Sequence, residues 1–160
     1  MKKKIAIIGC GGMGGGHAIA IGSGTGNAVY NADSSKELGT KIFDSSANTD
    51  ISEKLELAGV YDSNPDRMKW AAERGFTLYE SFDAVLKDAS VDIVLVATPN
   101  HLHREMSIAA MRAGKHVLCE KPVMRSSREL EEVLAVSKET GCLFYPRQNR
   151  RWDRDFRIIK

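Results

Sequence analysis

Gly9, Gly11 and Gly14 stand in the spacing Gly-x-Gly-x-x-Gly. They follow the apolar run Lys4-Ile5-Ala6-Ile7-Ile8 directly and precede His17-Ala18-Ile19-Ala20-Ile21, which reads as the body of a helix. In that setting the first glycine permits a tight turn. The second lets the backbone approach a ligand, and the third allows close helix–strand packing. Unpaired N–H groups and the positive dipole end at a helix start suit phosphate. The pattern is that of a dinucleotide-binding turn, with Gly12 and Met13 inside it. A flexible glycine-rich loop is the plain alternative, made easier by the neighbouring Gly15 and Gly16; the strand before and the helix after favour the phosphate reading.

A dinucleotide also needs an acceptor for its ribose hydroxyls at the end of the second strand. Asp62 stands there, closing the run 55–61. The usual interval from the glycines is about 20 residues. Here a polar stretch at 23–52 intervenes, but it follows the first helix and leaves the strand ends in place. A carboxylate repels a 2′-phosphate, so Asp62 favours NAD, while Ser63 and Arg67 keep NADP open. Asp62 also reads as an ordinary residue ahead of the helix start at Asn64-Pro65. Two further segments lie at strand ends: Thr98-Pro99-Asn100-His101-Leu102-His103 and Glu120-Lys121-Pro122. Ligands of an open parallel sheet bind along that edge, where Lys121 can donate a proton to a substrate oxygen or polarise it.

The elements that must hold these residues alternate along the chain. Residues 4–8, 55–61, 77–79, 91–97, 116–119 and 142–145 read as strands, being short, apolar and rich in β-branched residues. Helices are expected after the glycine turn, after Asn64-Pro65, over 81–87, from Asn100 to about Ala113, and from the capping box Ser126-x-x-Glu129 to about Thr140. Gly75, Gly114 and Gly141 stop three of them. Such alternation with short connections predicts a doubly wound α/β fold, a parallel sheet with helices on both faces. Residues 1–150 form this domain, with the polar stretch read as a surface insertion. Residues 151–160 look like an amphipathic helix leading out of it.

Composition excludes several classes. With 160 residues, 42% apolar and 28% charged, the chain has core enough for one ordinary domain and is neither disordered nor collagen-like. No apolar run approaches a membrane span, and the Met-Lys-Lys-Lys start lacks a cleavage site. Lysine and arginine number 23 against 21 acids, a net charge of +2, so no broad field points to nucleic acid or membrane. Arg147, Arg150, Arg151, Arg154 and Arg157 are interrupted by Asp153 and Asp155. The three cysteines, Cys10, Cys119 and Cys142, make no even disulfide set. They read as small buried residues, and a reducing cytoplasm is the expected compartment. His101 and His103 are two apart and face different ways on a helix, so no metal site is expected.

The sequence resembles the glucose–fructose oxidoreductase, inositol dehydrogenase and rhizopine-catabolism group. The matching residues are the Gly9–Gly14 turn with His17, Asp62, Ala97-Thr98-Pro99-Asn100-x-x-His103, Gly114-Lys115-His116-Val117-Leu118-Cys119-Glu120-Lys121-Pro122, and Arg150-Arg151-Trp152. The resemblance implies a Rossmann fold and hydride transfer between a nicotinamide and a secondary alcohol of a sugar, cyclitol or related polyol. It makes Lys121 the lysine beside the nicotinamide and the substrate hydroxyl, with Glu120 and Pro122 shaping its turn. Thr98, Pro99, Asn100 and His103 become cofactor-lining positions, as do Glu120 and Lys121 themselves. The family adds a second α+β domain that completes the substrate site and through which its members usually form homo-oligomers. This sequence lacks that domain, so catalysis by these residues alone is not expected. The arginines then fall where the chain crosses towards it. Two rival readings remain: an NAD(P)-binding regulator without turnover, and an inactive fragment. An intact Glu-Lys-Pro favours the enzyme.

Overall fold

The computed structural model describes residues 2–22, 54–148 and 158. The expected insertion at 23–52, the boundary at 150, and the helix beyond it (Ile158 apart) lie outside the described residues. The strands are β1 (Lys3–Ile8), β2 (Leu55–Tyr61), β3 (Ile93–Val96), β4 (His116–Cys119) and β5 (Phe144–Pro146). The helices are α1 (Gly12–Gly22), α2 (Pro65–Ala72), α3 (Phe82–Lys87), α4 (His103–Arg112) and α5 (Ser127–Thr140). A 3-10 turn, Asn100–Leu102, leads into α4. All strand pairs are parallel, in the order β2-β1-β3-β4-β5.

The expected strand at 77–79 is reduced to one parallel bridge, Leu78 to Val60, on the outer side of β2. Val60 N–H donates to Thr77 O and Tyr79 N–H to Val60 O, both at 2.9 Å. Counted as a strand, that bridge makes the spatial order 3-2-1-4-5-6, the dinucleotide-binding order of doubly wound sheets. The direction of winding reverses between β1 and β3, which opens a crevice at their C-terminal ends.

Burial on both faces explains why the strand segments read as unbroken apolar runs. Ile5, Ile7 and Leu95 pack with Val60, Ala18 and Ala71 under α1 and α2. The intervening Ala6, Ile8, Val94 and Val96 pack on the other face with Met111 and Val133 of α4 and α5.

Two strands start two residues later than expected. β3 begins at Ile93 because the Lys115 ammonium donates to the Asp88 and Val91 carbonyls, holding the preceding residues in a loop. β5 begins at Phe144 because the Cys142 carbonyl accepts from Ser137 Oγ at 2.7 Å and its N–H donates to Thr140 Oγ1. The helix caps follow the sequence more closely. Asn64 Oδ1 accepts from Asp66 N–H ahead of Pro65, and Ser126 Oγ accepts from Glu129 N–H. The Glu129 carboxylate, however, accepts from Arg125 N–H and the Arg125 guanidinium, so the reciprocal arm of the box lands one residue earlier.

Candidate functional site

Sheet register assembles the site. Tyr61 pairs with Ile8, Ile8 with Val96, Val96 with Cys119, and Cys119 with Pro146. One step further along each strand stand Asp62, Gly9, Ala97, Glu120 and Arg147, a row across the C-terminal edge of the sheet. Residues far apart in sequence meet there because the strands are parallel and in register.

The glycine turn is built as its spacing predicts. Gly9 has φ +94°, and a Cβ there would lie 2.6 Å from Ala97 O. A Cβ on Gly14 would lie 1.8 Å from Gly9 O, so α1 meets the turn at a distance only glycine allows. At Gly11 and Gly12 the situation is opposite, with nothing within 4 Å of where a Cβ would be. This open space lies at the N-terminus of α1, whose first turn carries no acid. An anion is favoured there by the helix N–H groups and dipole. Met13 lies in that first turn between Gly12 and Gly14.

Asp62 closes the other side. Its Oδ2 accepts from Cys10 N–H at 2.6 Å, and its Oδ1 accepts from Asn64 N–H at 2.8 Å. The carboxylate therefore ties the end of β2 to the glycine turn. Ser63 and Arg67 are exposed beside it. Cys10 is buried, and its thiol is pushed up to about 12 by burial and then by the Asp62 charge, which leaves it a packed turn residue and a poor nucleophile.

Across the crevice, Thr98 is half-buried and Pro99 and Asn100 are exposed. Among the described residues Thr98 Oγ1 is buried with no hydrogen-bond partner. His103 is placed differently from Pro99 and Asn100, being 1% exposed beneath the site. Its Nε2 lies 2.8 Å from Thr98 O and its Nδ1 3.0 Å from Pro122 O, so the ring bridges the turns that follow β3 and β4.

Lys121 is exposed at the sheet edge, and its peptide bond to Pro122 is cis. The preceding Glu120 points inward and is 3% exposed. Its Oε1 lies 2.9 Å from His17 Nε2 and accepts from Arg147 Nη1 at 3.0 Å. Its Oε2 accepts from Lys121 N–H at 3.2 Å. Burial pushes this carboxyl up, but the His17 hydrogen bond, the Arg147 charge and the Lys121 N–H outweigh it, holding the group below its usual range. Arg147 thus pairs inside the domain. The family resemblance implies an outward course for it with Arg150, Arg151, Arg154 and Arg157; those four lie outside the described residues. The missed signal was His17 itself, a single polar residue in an otherwise apolar helix.

The residues present fit a dinucleotide: an open cradle at a helix N-terminus, a carboxylate one strand away, and an unpartnered hydroxyl across the crevice. Among the described residues no group of three or more His, Cys, Asp or Glu is arranged to hold a metal ion. No helix there is long and apolar enough to cross a membrane.

Comparison with known proteins gives the same picture. The model of the glucose–fructose oxidoreductase, inositol dehydrogenase and rhizopine-catabolism family, described as "Oxidoreductase family, NAD-binding Rossmann fold", matches residues 3–148. A scyllo-inositol 2-dehydrogenase (NADP(+)) from Bacillus subtilis is 32% identical over 111 residues, covering 69% of this chain and 31% of the relative. A 1,5-anhydro-D-fructose reductase from Ensifer adhaerens is 46% identical over 90 residues, covering 55% of this chain and 27% of the relative. The solved structure of an NAD-binding protein from Listeria innocua superposes with TM-score 0.77 at 39% identity, covering 99% of this chain and 39% of that one. The chain thus spans under two-fifths of the length of each of these proteins.

Proposed function

The chain belongs to the oxidoreductase family with the NAD-binding Rossmann fold, and we propose that it is the nucleotide-binding part of a cytoplasmic enzyme oxidising or reducing a secondary alcohol carbon on a sugar, cyclitol or related polyol. The observation that carries this reading is the row at the sheet edge, which sets the glycine cradle, Asp62 and the Lys121 turn around one crevice. The names of the inositol dehydrogenase and anhydrofructose reductase relatives support the substrate class. Their greater length supports a substrate half contributed by chain beyond this domain.

In this reading the N–H groups of Gly11, Gly12, Met13 and Gly14 hold the diphosphate. Asp62 accepts from the adenosine ribose, with Ser63 at the rim, which favours NAD. Arg67 leaves room for NADP, the cofactor named for the Bacillus relative. Thr98, Pro99 and Asn100 line the nicotinamide side. His103 and Glu120 hold the flanking turns from below. The dinucleotide, when bound, supplies the hydride acceptor or donor. Lys121 polarises the substrate oxygen and donates a proton to it in the direction of reduction. Proton donation by a positioned side chain contributes typically 10²–10⁴-fold to rate.

The test is an assay of the whole enzyme on polyols and sugars, following the reduced nicotinamide, with Lys121→Ala beside the parent. Turnover is expected to fall about 10²-fold or more, with NADH affinity nearly unchanged. Near-parent turnover in the variant contradicts the role of Lys121. Cofactor binding without turnover on any alcohol supports a regulator instead.

A further inference from the structure

Glu120 is a buried carboxylate joining three parts of the chain, and it touches no reacting atom in the reading above. His17 reaches it from α1, the helix that opens at the glycine cradle, and Arg147 reaches it from the residue after β5. Its other oxygen takes the N–H of Lys121. A buried carboxylate that loses one of its partners is left with its charge less well compensated. The carboxylate therefore resists any movement of one partner without the others. The open glycines Gly11 and Gly12 and the Glu120 partner His17 lie within two turns of one another at the start of α1.

Resting on the dinucleotide reading above, we infer that Glu120 is a positioning residue that reports occupancy of the glycine cradle to Lys121. A diphosphate drawn onto the N-terminus of α1 shifts the helix, His17 carries the shift to the Glu120 carboxylate, and its Oε2 moves the Lys121 backbone. Arg147 supplies the fixed anchor. The lysine is thereby set for the substrate by the cofactor's phosphate end, before the nicotinamide end makes any contact with it.

ADP tests this, because it carries the diphosphate and adenosine but no nicotinamide to touch Lys121. Amide NMR shifts of the 160-residue chain are followed as ADP is added. In the parent, ADP is expected to shift Gly11, Gly12 and Lys121. In His17→Phe the glycine shifts should persist while the Lys121 shift is lost. His17→Gln, whose amide can donate to the carboxylate, should restore it. Should His17→Phe fail to fold, Glu120→Gln is expected to lose the Lys121 shift in the same way. A Lys121 shift that survives either variant overturns the inference, as does its absence in a parent whose glycines respond. If the parent glycines themselves do not respond, the dinucleotide reading fails and the inference falls with it.

Discussion

At the scale of single residues, Asp62 does two things with one carboxylate. It fastens the glycine turn through Cys10 N–H and caps its own turn through Asn64 N–H. A carboxylate offers about four acceptor positions, so both bonds leave room for ribose hydroxyls on the crevice side. In the dinucleotide reading proposed above, its negative charge stands where a 2′-phosphate would come. Asp62→Ala is therefore expected to weaken NADH binding by about tenfold or more, since a hydrogen bond to a charged group contributes roughly 1.5–3 kcal/mol. The same substitution should narrow the preference for NADH over NADPH. Titrating both cofactors against parent and variant checks this, and unchanged selectivity would remove Asp62 from the ribose site.

At the scale of elements, the edge of the sheet opposite the site is held by carboxylates. Asp92 accepts from Lys3 Nζ at 2.6 Å and from Lys4 N–H at 2.9 Å, joining the starts of β1 and β3. Asp88 accepts from Tyr79 Oη at 2.7 Å and from Ser90 N–H. The Tyr79 bond on Asp88 and the Lys3 bond on Asp92 hold both carboxyls below the ordinary value of 3.8. A carboxyl lowered on folding stabilises the fold above its unfolded pKa and stops doing so as pH falls through the folded value. Melting temperature should thus stay level down to about pH 5 and drop below it. Asp92→Asn should lower the neutral value and flatten the drop; an unaltered profile would show that this link contributes nothing. Much of this architecture was legible in the chain. β2, β4 and the caps at Asn64, Ser126 and Gly141 stand where local pattern puts them, because burial on both sides and turn chemistry are written in consecutive residues. The strand at 77–79 is reduced to a bridge at the sheet margin, where β2 is its one neighbouring strand among the described residues. The starts of β3 and β5 shifted because Lys115, Ser137 and Thr140 make contacts that no local pattern contains. The same holds for His17, Glu120 and Arg147, whose meeting depends on register across strands. Burial of His103 beneath the turns was hidden for that reason too.

At the scale of the whole molecule, a parallel sheet turns distant sequence into one edge. Its order places the reversal of winding between β1 and β3, and the register brings Asp62, Gly9, Ala97, Glu120 and Arg147 to one level. Two apolar clusters, one on each face, fix that sheet between helices. The glycine cradle, Asp62 and the lysine turn all belong to the described residues. In the proposed function these residues suffice to bind a dinucleotide, with the substrate half coming from elsewhere. Calorimetric titration of the purified chain with NADH, and separately with NADPH, tests it most directly. Saturable one-to-one binding, tighter for NADH, is the predicted result. Binding of neither by a well-folded chain would mean that the site is not complete within these residues.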